Sequence, residues 1–153
     1  DLVIDFLNTV DAEAGTDEQR DLTAWAAWVA GRQEYADLPE PTTAGLALDR
    51  DLRAYLRAAA AGAPLPTAPE VGVVVDLGAG ARLTGTTVAA RVAAAVATLA
   101  AEGRWERVKI CPADDCRWAF YDHSRNRSRQ WCSMQVCGNR AKARTHRLRA
   151  GAG

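Results

Sequence analysis

Four cysteines in the C-terminal third carry the clearest chemistry of the 153-residue chain, spaced Cys111-x4-Cys116-x15-Cys132-x4-Cys137. Two close pairs separated by a hairpin-length segment outline a closed tetrahedral site of four thiolates, which suits a structural Zn2+. Each short loop clamps two corners, and Pro112 stiffens the first. Two disulfides or four unrelated buried thiols are the alternatives. Disulfides are disfavoured in a reducing compartment, and no leader-like segment opens the sequence. Four cysteines leave no open coordination position, so catalysis by this metal is not expected. His123 and His146 have the chemistry of ligands, but the quartet is complete without them, and Asp114 and Asp115 read as exposed turn residues.

Basic side chains surround the second pair. Ser124 to Arg129 sets Arg125, Arg127 and Arg129 on alternate positions, which on extended chain project to one side. Asn139 to Arg149 reads as a helix with Asn139 as N-cap. Ala141, Thr145 and Leu148 form a stripe to dock on the metal module, while Arg140, Arg144 and Arg147 make one cationic row and Lys142, His146 and Arg149 the next. No acidic residue follows Asp122, so nothing in the local sequence neutralises this cluster. Arginine forks onto phosphate or guanine and asparagine can read adenine, which makes DNA the expected partner. Candidate contacts are Arg125, Arg127, Arg129, Asn139, Arg140, Lys142, Arg144 and Arg147. Five to seven phosphate contacts would give log K a slope of roughly −5 to −6 against log[salt]. An RNA-binding or protein-interaction zinc module and a thiol-based redox sensor are the alternative readings. Membrane binding fits poorly, because the helix lacks a bulky apolar face.

The whole-chain charge conceals this division. Nineteen Lys+Arg balance nineteen Asp+Glu. Residues 1–104 hold fifteen acidic and eight basic side chains, a balance of −7, and residues 105–153 hold four and eleven, a balance of +7. Two units follow, an acidic one at 1–104 and a basic one at 105–153, joined near Glu102-Gly103-Arg104.

The acidic unit has helical periodicity. Asp21 caps a helix to Ala30, with Leu22, Trp25, Ala26 and Val29 inward and Gly31 past its end. A second helix spans Thr43 to Ala61, striped by Leu48, Leu52, Tyr55, Leu56 and Ala59 and ended by Gly62. A third spans Thr87 to Ala101, with Val88, Val92, Val96 and Leu99 on one face. Val71 to Val75 and Arg82 to Thr84 read as short strands around a turn. Gly78-Ala79-Gly80 belongs to that turn, since the third glycine of a dinucleotide fingerprint is missing. Trp25 and Trp28, one turn apart, read as core packing before pocket lining. Asp5 to Thr9 is either a buried capping segment or a site. No nucleophile–base pair is present, and an enzyme is not expected.

The fold class is therefore α+β and mostly helical. An alanine-rich N-terminal domain with a short β-hairpin precedes a treble-clef-like or ribbon-like zinc module ending in a basic helix. In the second half, Trp118 to Tyr121 reads as a strand with Arg129 to Cys132 returning beside it.

Cys111-Pro112, Cys116, Phe120-Tyr121-Asp122, Ser124 to Arg129, Trp131 to Met134 and Cys137-Gly138-Asn139-Arg140 closely resemble the CGNR zinc finger of bacteria over residues 105–149. Leu2 to Thr9 is similar to the start of the alanine-rich ABATE domain that accompanies this finger. The resemblance implies a stress-induced transcription regulator whose finger binds DNA. It implies an N-terminal sensor of a small ligand, or an oligomerisation unit. One small finger reads few bases, so a homodimer on paired half-sites is attractive. The expected location is the cytoplasm, on the nucleoid when DNA is bound.

Overall fold

The computed structural model describes residues 1–150 apart from Ala79. Five α-helices and three two-stranded antiparallel sheets follow in chain order among them. Helix α1 (Leu2–Leu7) leads to β1 (Val10–Asp11) and β2 (Thr16–Asp17), then α2 (Leu22–Ala30) and α3 (Thr43–Ala61). The second hairpin is β3 (Val74–Asp76) with β4 (Arg82–Thr84), before α4 (Val88–Ala101). The third is β5 (Val108–Ile110) with β6 (Ala119–Tyr121), and α5 (Asn139–Ala150) ends the described chain.

Local chemistry accounts for the helix boundaries. Asp21, Thr42 and Thr87 accept from the backbone N–H three residues on, at 2.8, 3.1 and 3.2 Å, each satisfying a donor that the helix itself leaves open. Gly62 ends α3 in the left-handed conformation at φ +63°, and its successor Ala63 donates back to Ala58 at 3.0 Å. Gly31 ends α2 at φ −75°, so its conformational freedom is not used there.

In the segment Asp5 to Thr9, Phe6, Leu7 and Thr9 are buried while Asp5 is exposed. Val3, Phe6 and Leu7 of α1 are buried against Trp25, Trp28, Leu46, Leu52, Leu56, Val88 and Val92. Trp25 and Trp28 stack at 4.8 Å and 13°. The stripe of α3 is rotated from the sequence expectation: Leu46, Asp49, Leu52 and Leu56 are the buried positions, with Leu48 and Tyr55 only partly covered. Asp49 is tolerated there because Trp25 Nε1 donates to it at 2.8 Å. Val88 and Val92 of α4 are buried as expected, joined by Ala89, Ala90 and Ala94, because alanine lets neighbouring elements approach closely. The expected strand at Val71 to Val75 is displaced to Val74–Asp76, since β4 supplies only three residues to pair with it. The turn expected at Gly78 to Gly80 includes Ala79, which lies outside the described residues.

The basic half is fastened to this core. Gly103, at φ +65°, ends α4 at the expected joint, but Val108, Ile110 and Ala119 of the third hairpin are buried in the same cluster as α1, α3 and α4. Asn8 clamps the hairpin like an extra strand residue, donating to Ala119 O at 2.9 Å and accepting from Ala119 N at 2.7 Å. Arg57 of α3 ties Leu7 O to Arg117 O, each at 2.6 Å.

Candidate metal centre and basic surface

The first cysteine pair sits in the loop of the third hairpin. Strand β6 pairs with β5, Val108 opposite Tyr121 and Ile110 opposite Ala119, and not with Arg129 to Cys132 as the sequence suggested. The chain before Cys111 is already held in the core, which makes β5 the nearer partner. Cys111 N continues the ladder to Trp118 O at 2.8 Å. Cys116 and Arg117 then both donate to Ala113 O at 3.0 Å, and Arg117 takes φ +54°, curling the loop so that both sulfurs face inward.

The second pair follows a loop organised by Asp122. This side chain is fully buried and accepts from Lys109 Nζ at 2.7 Å, Ser124 N at 2.8 Å and Arg129 N at 3.0 Å. Burial alone would raise its pKa, but the Lys109 ammonium and the Ser124 and Arg129 donors hold the carboxyl well below the usual carboxylate range. Cys132 emerges from that loop. Ser133 caps a wide turn over Met134–Gly138, closed by Gly138 N donating five residues back to Ser133 O at 3.1 Å. Cys137 lies buried in this turn, and α5 continues from it.

All four sulfurs lie within 4.8 Å of one another, with Cys116–Cys132 at 3.5 Å and Cys132–Cys137 at 3.6 Å. A tetrahedron with metal–sulfur bonds of about 2.3 Å has edges of about 3.8 Å, so the quartet already has the dimensions of a closed site. None of the four is in a disulfide. Electrostatics point the same way. Burial pushes the Cys137 thiol up to about 11 and Cys132 up further, aided there by the neighbouring sulfurs. At Cys111 burial is outweighed by backbone donors from Cys132 and Ala113, and its pKa falls. Four crowded sulfurs thus share protons until a dication offsets their charge. The donor set fits a thiophilic ion of tetrahedral preference.

Residues 107–150 match the model of the CGNR zinc finger. The matched stretch contains the four cysteines, the Asp122 loop and α5. No curated protein matches the chain.

Within the finger, the expected basic contacts divide into two groups. Arg127 sits at φ +52° and ion-pairs with Glu106. Arg129 donates to Trp131 O at 2.9 Å and to Cys132 O, with its guanidinium 5.0 Å from the Phe120 ring centre. Arg140 pairs with Glu13 at 3.0 Å and Asp115 at 3.3 Å. The segment is a folded loop, so the alternate arginines do not share one side. Acidic residues distant in sequence supply the neutralisation that the local sequence lacks.

Arg125, Lys142, Arg144, Arg147 and Arg149 are exposed and have no ion pair with the described residues. Asn139 is the first residue of α5 and already helical, its side chain donating to Gln135 O at 3.0 Å, and Ser133 caps the turn that leads into it. The stripe expected to dock α5 on the module does not: Ala141 is half-buried, but Leu148 is 71% exposed. Helix α5 therefore leaves the body after its first turn and presents cations around its circumference. His146 is exposed on it, and Asp114 and Asp115 are exposed in the first loop.

Sequence reasoning missed Asp122, Lys109 and Asn8 as organisers of the site. The signal for Asp122 was its isolation: a lone carboxylate among nine basic residues from Arg117 onward is placed to hold several donors at once.

Proposed function

We propose that the chain is a DNA-binding transcription regulator in which Zn2+ on Cys111, Cys116, Cys132 and Cys137 fixes the base of a projecting basic helix. The observation that carries this reading is the set of unneutralised cations on α5, Lys142, Arg144, Arg147 and Arg149, with Arg125 nearby in sequence on the preceding loop. Self-repulsion among them is relieved when phosphates replace counterions. Arg127, Arg129 and Arg140 act one step back, holding loop and helix in place. One knuckle in a hairpin and the other at a helix start favour the treble-clef-like description over the ribbon-like one.

The resemblance to ABATE supports reading residues 1–104 as a sensing or oligomerisation unit. A cleft of about 400 Å³ lined by Leu2, Asp37, Arg82 and Arg91 is where a small ligand would sit. No helix among the described residues is long and apolar enough to cross a membrane.

The test is competition against a labelled duplex by unlabelled duplex DNA, single strands and structured RNA, using the zinc-loaded full chain. Duplex DNA should compete best. A structured RNA that displaces the duplex at lower concentration than DNA itself would overturn the reading in favour of RNA.

One observation favours redox sensing as a second reading. Cys132 is the least buried of the quartet and lines a surface cavity of about 250 Å³ with Trp118 and Val136. Peroxide, itself reduced to water, would join two thiolates as a disulfide and release the metal. Zinc retention and DNA affinity unchanged by peroxide would remove this reading.

A further inference from the structure

The stripe of α5 that fails to dock on the module lies between two edges of positive charge. Ala141, Thr145 and Leu148 recur at intervals of four and three residues, so they share one line along the helix. Thr145 and Leu148 are exposed. The Thr145 hydroxyl is spent on Ala141 O at 3.0 Å, which leaves its methyl as the group it can offer a partner. A groove of about 460 Å³ runs along this side of α5, and the Trp131 ring closes its near end beside Gly138 and Ala141. At about 100° per residue, Lys142 and Arg149 fall along one edge of the stripe and Arg144 along the other, with His146 and Arg147 behind them. Lys142, Arg144, Arg147 and Arg149 pair with no carboxylate among the described residues.

Methyl groups between two cationic edges suit the major groove of a duplex. That groove admits an α-helix, with base edges on its floor and a phosphate strand along each wall. A second copy of α5 would set cation against cation along both edges, and a single leucine is too small an apolar face for a membrane. Resting on the DNA-binding reading above, we infer that Ala141, Thr145 and Leu148 form a base-reading stripe that packs on thymine 5-methyl groups and makes the finger prefer thymine-bearing duplexes. The 5-methyl is the apolar group that a major-groove edge presents, and alanine and threonine methyls are suited to meet it. Lys142 and Arg149 hold one phosphate strand and Arg144 the other.

Two labelled duplexes test this by fluorescence anisotropy with the zinc-loaded full chain: one of alternating dA and dT, and the same duplex with deoxyuridine for every thymidine. The second lacks only the 5-methyl groups. Wild type should bind the thymine duplex about threefold or more tighter, the worth of one buried methyl. Thr145→Ser keeps the hydroxyl that bonds Ala141 O and deletes only the methyl, so it should shrink that ratio. Lys142→Ala should weaken binding to both duplexes and leave the ratio as it was. Circular dichroism and metal content verify that both variants fold. A wild type that binds the two duplexes equally would overturn the inference and leave DNA binding standing. So would a ratio untouched by Thr145→Ser, which would trace the preference to the duplex's own shape. A wild type that binds neither duplex would overturn the DNA-binding reading, and the inference with it.

Discussion

Replacing Asp49 by Asn should reverse the order of stability between wild type and variant as pH rises from 4 to 7. Asp49 is 3% exposed and accepts from Trp25 Nε1 at 2.8 Å and from the backbone N–H of Ala89. Burial dominates those two donors and lifts its pKa from 3.8 to about 6. Because the folded value lies above the unfolded one, the native state binds more protons between them. Stability from this carboxyl is thus complete below about pH 4 and lost as pH climbs through about 6. The difference of about two pKa values amounts to about 3 kcal/mol. Asparagine carries no charge but has one acceptor oxygen for two donors, which costs about 1 kcal/mol at every pH. Asp49→Asn should therefore be about 1 kcal/mol less stable than wild type near pH 4 and about 2 kcal/mol more stable at pH 7. Urea titrations followed by tryptophan fluorescence measure this. With m of about 2 kcal/mol per molar, the midpoint difference should swing by about 1.5 M. Comparing the two proteins at each pH cancels the loss of metal on thiol protonation, which both share. A midpoint difference that stays constant from pH 4 to 7 would refute the reasoning.

Three further outcomes follow from the packing and the finger. A Cβ at Gly85 would lie 2.4 Å from the backbone of Ala90, so Gly85→Ala should cost about 2 kcal/mol or more in thermal or urea unfolding. Gly138→Ala, whose Cβ meets the flexible end of Met134 at 2.6 Å and Trp131 Cδ1 at 3.4 Å, should cost distinctly less. Cys137→Ser should reduce bound zinc from one per chain to well under half, read by metal analysis, while the tryptophan core signal around Trp25 persists. Arg129→Ala and Arg144→Ala should separate two roles. The first should weaken metal retention against a chelator, and the second should weaken duplex binding with metal retention and melting temperature unchanged.

What the sequence made legible was whatever depends on neighbours along the chain. Helix starts at Asp21, Thr42 and Thr87 rest on side chains three residues from the donors they satisfy, and the stop at Gly62 rests on a left-handed backbone that glycine adopts locally. The cysteine quartet is legible for the same reason, since each short loop places two ligands. Pairing decided over longer distances was not. Strand β6 had two candidate partners, and the choice of β5 depends on a core formed by α1, α3 and α4. Neutralisation of Arg140 by Glu13 joins residues far apart in sequence, and so does the Asn8 clamp on Ala119. The set of free cations therefore contracts from the seven expected to Arg125 and a group on α5, with Arg149 added to it.

That contraction gives the most direct test of DNA binding by the finger. About four or five phosphate contacts from the five free cations, Arg125, Lys142, Arg144, Arg147 and Arg149, imply a slope of about −4 for log K against log[salt], shallower than the −5 to −6 expected from the sequence alone. Fluorescence anisotropy of a labelled duplex with the zinc-loaded full chain, over a series of salt concentrations, measures it. A slope near −4 that collapses when the metal is chelated is the expected result. No binding, or binding indifferent to salt and to chelation, would contradict a metal-organised basic helix as the DNA-contacting element.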